Sequence, residues 1–77
     1  MIFPHITEAQ YIDGYKLWLK FNDETEGPVD LSSELYGEIF EPLKDISYFK
    51  QFSIRGNTVA WKNGADFAPE FLREHIA

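Results

Sequence analysis

The chain contains no cysteine. Disulfides and thiolate-bound zinc are therefore unavailable to staple it, and thiol catalysis is excluded. Basic residues are scarce as well. Seven Lys and Arg stand against thirteen Asp and Glu, a formal charge of −6. That balance opposes non-specific DNA or RNA binding, which depends on cations neutralising phosphates. It also opposes attraction to anionic membranes, and it favours a basic protein partner. No apolar run approaches the roughly 18 residues that a membrane-spanning helix needs. The first five residues, Met1-Ile2-Phe3-Pro4-His5, lack the basic region and long apolar stretch of a signal peptide. A cytoplasmic location is the expectation.

Chemistry-bearing patterns are missing too. The two histidines, His5 and His75, lie near opposite ends, without a neighbour at metal-ligand spacing. None of Ser32, Ser33, Ser47 and Ser53 sits in a nucleophile elbow. There is no phosphate-binding glycine loop. One small core leaves little interior room for a pocket of the usual size, about 300–1,000 Å³. No catalytic, metal or cofactor residues are assigned, and a non-enzymatic protein is expected.

What the sequence has in quantity is aromatic side chains, 17% of its 77 residues. Each can bury roughly 150–250 Å². They must supply the core of what reads as a single domain, residues 1–77, with a stability on the order of 4–8 kcal/mol.

Residues 5–12 read as a first strand, followed by Asp13-Gly14, a strong hairpin signal of the type I′ kind. Residues 15–21 alternate with period two: Tyr15, Leu17, Leu19 and Phe21 on one face, Lys16, Trp18 and Lys20 on the other. That is a half-buried antiparallel strand with its leucine face inward. Asn22-Asp23-Glu24 makes a second turn. Residues 25–30 form a third strand, which Pro28 assigns to a sheet edge or a bulge, since proline cannot donate to a ladder. Asp30 is expected to cap a helical turn over 31–36, ended by Gly37. Pro42 suits the start of another short turn, and Asp45 the N-cap of a helix over 46–51. Phe40, Leu43, Ile46 and Phe49 recur every third residue, a core-facing stripe. Residues 52–55 and 58–62 form a second hairpin around Gly56-Asn57. Asn63-Gly64 turns the chain again, and Pro69 opens a helix over 69–76 with Phe71 and Leu72 inward.

The fold class is α+β, a small two-layer domain. Its antiparallel sheet has about five strands built from hairpins, with short helices and a C-terminal helix.

Four residues are candidate partner contacts. Trp18 sits between two lysines on the outward face of its strand. Lys62, Asn63 and Asp66 flank the Asn-Gly turn as a polar patch. Structural roles compete with this reading. Trp18 can pack across strands with the lysine stems, Asn63 can supply turn geometry, and the Asp66 carboxylate can cap the turn or face the dipole of the last helix.

Around Trp61-Lys62-Asn63-Gly64-Ala65-Asp66 the chain resembles a small, mostly bacterial family catalogued as domain of unknown function 2442. The resemblance extends to Asp13-Gly14-Tyr15-Lys16-Leu17, to the run from Phe21 to Leu31, to Phe40-Glu41-Pro42-Leu43-Lys44-Asp45 and to Tyr48-Phe49-Lys50. It implies the same α+β fold and no established activity. Members resemble partners in two-gene, toxin–antitoxin-like loci, often beside another uncharacterised family, domain of unknown function 4160. Longer members carry a C-terminal helix-turn-helix. This chain ends at Ala77 after the helix begun by Pro69, so that module is not expected of it. Two positions depart from the family pattern: Ile46 where proline is common, and Glu24 where glycine is usual. The second departure predicts a turn that does not require positive φ at residue 24.

The leading expectation is thus an acidic protein-binding module, the antitoxin-like partner of a small basic protein encoded nearby. The alternative is a self-associating structural domain, a homodimer formed through surplus aromatics such as Trp18 and Tyr11. A nucleic-acid accessory protein ranks third, since direct binding is opposed by the charge.

Overall fold

The computed structural model describes residues 3–76. Three strands come first, β1 (Ile6–Asp13), β2 (Lys16–Phe21) and β3 (Glu26–Asp30), paired antiparallel in that order. A 3₁₀ segment (Glu38–Lys44) and a single-turn helix, α1 (Ile46–Phe49), follow. Strands β4 (Ser53–Arg55) and β5 (Thr58–Ala60) form a separate two-stranded sheet, and α2 (Pro69–Glu74) closes the chain. The α+β class and its hairpin construction are as the sequence implies. The five strands divide three and two. One backbone bond, Ile6 N–H to the Asn57 carbonyl at 2.9 Å, joins β1 to the β4–β5 turn.

The period-two pattern of β2 is realised in full. Leu17, Leu19 and Phe21 are at most 1% exposed, whereas Lys16 is exposed and Trp18 half-buried on the opposite face. β3 pairs with β2 alone, so Pro28 lies on an edge strand, where its missing N–H breaks no ladder. The core runs from Ile6 through Val29, Leu31, Leu35, Leu43, Phe49, Val59, Trp61, Ala65 and Phe67 to Leu72. Of the three-residue stripe, Leu43 and Phe49 are buried, and Phe40 and Ile46 half-buried.

Several local expectations are corrected. The first hairpin turns at Gly14-Tyr15 rather than Asp13-Gly14, because Asp13 still pairs with Lys16. Only Gly14 has positive φ (49°), so the turn is not type I′, which needs two such residues. Residues 31–36 form a turn, not a helix. Asp30 Oδ1 accepts from Ser32 N–H at 2.9 Å, and Glu34 N–H closes on the Leu31 carbonyl, after which the chain leaves helical geometry. Asp45 does cap α1, accepting from Ser47 N–H at 3.0 Å, but the helix stops at Phe49. α2 stops at Glu74.

Glu24 has φ 71°, the one positive value among the described non-glycine residues. The expectation of a turn that does not require positive φ at residue 24 is thus corrected: the glutamate adopts the left-handed conformation itself. The hairpin dictates this. Phe21 N–H bonds the Thr25 carbonyl at 2.8 Å, and Glu24 N–H the Phe21 carbonyl at 3.1 Å. In such a three-residue loop a type I turn is followed by one left-handed residue that re-enters the ladder.

Candidate functional site

The loop after β5 repeats that geometry. Trp61 N–H bonds the Ala65 carbonyl at 2.9 Å, and Gly64 N–H the Trp61 carbonyl at 3.0 Å, with Gly64 at φ 93°. Asn63 Oδ1 accepts from Ala65 N–H at 3.0 Å, as Asp23 Oδ1 accepts from Thr25 N–H at 3.0 Å in the earlier loop. The Asn63 amide also donates to the Ile39 carbonyl at 2.9 Å, tying the loop to the 3₁₀ segment. Asn63 is exposed, yet both ends of its side chain serve the fold.

Trp61 is 1% exposed and the largest fully buried side chain. Its indole lies 5.6 Å from the Phe49 ring and 6.1 Å, edge-on, from Phe67. From Phe67 an aromatic ladder leads outward. Phe40 stacks on Phe67 at 4.9 Å, Phe71 stacks on its ring at 5.6 Å, and His75 lies 4.1 Å from Phe71. The spacing of these residues in sequence is irregular, so no periodic signal brings Phe40 to Phe67.

This ladder forms one side of an open cleft of about 310 Å³. Glu34, Tyr36, Phe40, Asp66, Phe67, Ala68 and Phe71 line it. It lies at the surface, between turn 31–36, the 3₁₀ segment and the start of α2, and so needs no hollow in the core. Tyr36 is 72% exposed, and nearby Ile39 is 46% exposed. Asp66 enters the lining because Ala60 and Asp66 form an isolated antiparallel bridge that fixes the backbone leaving the loop. The capping role weighed for Asp66 is not realised: α2 starts from Ala68 with no side-chain cap, and Pro69 fills its first position.

The four candidate contacts do not converge. Asp66 lines the cleft. Lys62 is exposed, with Nζ 5.9 Å from the centre of the Tyr48 ring. Trp18 lies on the outward face of the three-stranded sheet, opposite Gln10 of β1 and Pro28 of β3. That face points away from the leucine side, which is buried in the same core as Trp61. Sequence reasoning missed Glu34, Tyr36, Phe40, Phe67 and Phe71 as a surface. The available signal was the surplus of aromatics around residues 36–40 and 67–71.

Outside the cleft, hydrogen bonds hold two aspartates more acidic than usual. The Thr25 backbone N–H bond, then the Thr25 side chain and the Arg73 guanidinium, hold Asp23 below the ordinary aspartate value. Arg73 Nε reaches Asp23 Oδ2 at 3.0 Å, so the β2–β3 loop is tied to α2. Hydrogen bonds from Ser32 lower Asp30 in the same way. Among the described residues no group of three or more His, Cys, Asp or Glu side chains is placed to hold a metal ion. Among the described residues no helix is long and apolar enough to cross a membrane.

The fold and cleft define a small α+β domain with an aromatic, acid-lined surface site. Residues 6–77 match the family model described as "Protein of unknown function (DUF2442)", and the chain belongs to that family. Searches of curated proteins and of solved structures returned no significant match.

Proposed function

We propose that this chain is a non-enzymatic protein-binding module, the antitoxin-like half of a two-gene bacterial locus, whose partner is a small basic protein. The observation that carries the reading is the cleft. Exposed Tyr36 lines it, and Glu34 and Asp66 stand in the same lining on a protein of net charge −6. Exposed aromatic surface with acidic groups beside it suits a protein contact with a cationic partner. The expected location is the cytoplasm. Direct nucleic-acid binding is opposed by the charge.

The test is co-expression with the product of the adjacent reading frame. A stoichiometric complex that weakens with salt supports the reading. Absence of a neighbouring small basic protein, together with no stoichiometric partner, would sink it.

Self-association is the second reading, favoured by half-buried Trp18 on the open sheet face and by exposed Ile12 on β1. Sedimentation showing only monomer at high micromolar concentration would eliminate it.

A further inference from the structure

We infer that the cleft between turn 31–36, the 3₁₀ segment and α2 is a receptor for a single arginine side chain presented by the partner. This rests on the protein-binding reading and names the chemistry of its contact. The Phe40, Phe67 and Phe71 rings stack in series, which covers the faces of Phe67, so the aromatic surface left to a ligand is that of half-buried Phe40 and Phe71 and of Tyr36, which lies open to solvent on the same lining. Glu34 and Asp66, two acidic residues, stand in the same lining. Among the described residues no ion pair involves either acid, and the arginine of α2, Arg73, is engaged by Asp23 instead. The cleft thus offers negative charge without a cation of its own.

Arginine matches both features at once. Its guanidinium is flat and weakly hydrated, so it stacks on aromatic faces, and its fork of donors satisfies a carboxylate in its own plane. A lysine ammonium is a compact, strongly hydrated charge and uses only the second feature. The volume, about 310 Å³, is at the small end of ligand sites and suits one long side chain rather than a cofactor.

The probe is N-acetyl-arginine N-methylamide, titrated into the isotope-labelled chain and followed by amide chemical shifts. The expected result is saturable binding of about millimolar strength, as befits so small a ligand. Shifts should be centred on residues 34–40 and 66–71. The lysine analogue should bind more weakly, and the citrulline analogue, neutral but of the same shape, should not bind. Asp66→Asn and Glu34→Gln should each weaken arginine binding by about three- to tenfold, with Asp13→Asn on the distant hairpin unchanged. Both variants remove a single surface charge, and unchanged spectra elsewhere will show that they fold. Equal binding of citrulline, shifts centred elsewhere or no saturation would overturn the inference. If the probe fails while the neighbouring-gene protein still binds, the cleft assignment alone falls. If the probe binds and that protein does not, the cleft assignment stands and the partner reading falls.

Discussion

The indole Nε1–H of Trp61 donates to the Phe49 carbonyl at 2.9 Å. One buried side chain thereby satisfies the last residue of α1 while its ring fills the core between Phe49 and Phe67. Trp61→Ala should cost about 3–5 kcal/mol, a large part of the stability of so small a domain. Trp61→Phe keeps much of the apolar area but leaves the Phe49 carbonyl without its donor, at a cost of about 1–3 kcal/mol. Urea unfolding followed by far-ultraviolet circular dichroism measures both. Unchanged stability in Trp61→Ala, with loss of a partner contact, would make the residue a site rather than an anchor.

Glu24 and Gly64 occupy the same place in two loops with matching hydrogen bonds. A side chain in the left-handed region costs about 1–2 kcal/mol, and glycine removes that cost while adding freedom to the unfolded chain. Glu24→Gly should therefore stabilise the protein by about 0.5–1 kcal/mol. The exposed Lys20–Glu24 pair, at 3.5 Å, offsets little of this. A fall in the urea midpoint would contradict the argument.

Asn63 holds the closing loop at two points, Ile39 and Ala65. Asn63→Ala should cost about 1–2 kcal/mol through those bonds. Thermal unfolding reads the change, and partner affinity measured on the folded variant should be unaltered. Affinity lost without any loss of stability would return Asn63 to the interface.

The acid limb of stability should carry the signature of Asp23 and Asp30. Both are held below the ordinary aspartate value of 3.8, chiefly by hydrogen bonds from Thr25 and from Ser32. A depressed folded-state value means that the stabilisation is complete well above 3.8 and is lost as pH falls through the folded-state value. Stability should thus be level near neutrality and decline below about pH 4. Asp23→Asn should flatten part of that decline, measured by urea unfolding between pH 2 and 6. An acid limb identical to the parent's would remove Asp23 from the account.

Much of the fold was legible in local chemistry. Period-two alternation identified β2 and its inward face. Pro28 marked the edge strand, Asp45 the cap of α1, and Pro69 the start of α2. Legibility failed where two local signals competed. Asp13-Gly14 looked like a complete turn until pairing of Asp13 with Lys16 moved it one residue. Asp30 and Gly37 looked like the ends of a helix, but Leu31 and Leu35 are drawn into the core from a turn. Glu24 was misread because its φ is imposed by the loop length between β2 and β3, whatever side chain stands there.

The sequence by itself determined the two-layer α+β class and the dense aromatic core, because turn chemistry and periodicity act over a few residues. It also determined the acidic surface, since charge is a sum that needs no coordinates. Only the tertiary structure decided the cleft. Phe40 reaches Phe67 and Phe71 across a gap in sequence, and Asp66 joins Glu34 at the same cleft. Those contacts depend on how turn 31–36 and α2 pack against the loop begun by Trp61. No short-range rule specifies such packing, because it is selected by the whole core at once.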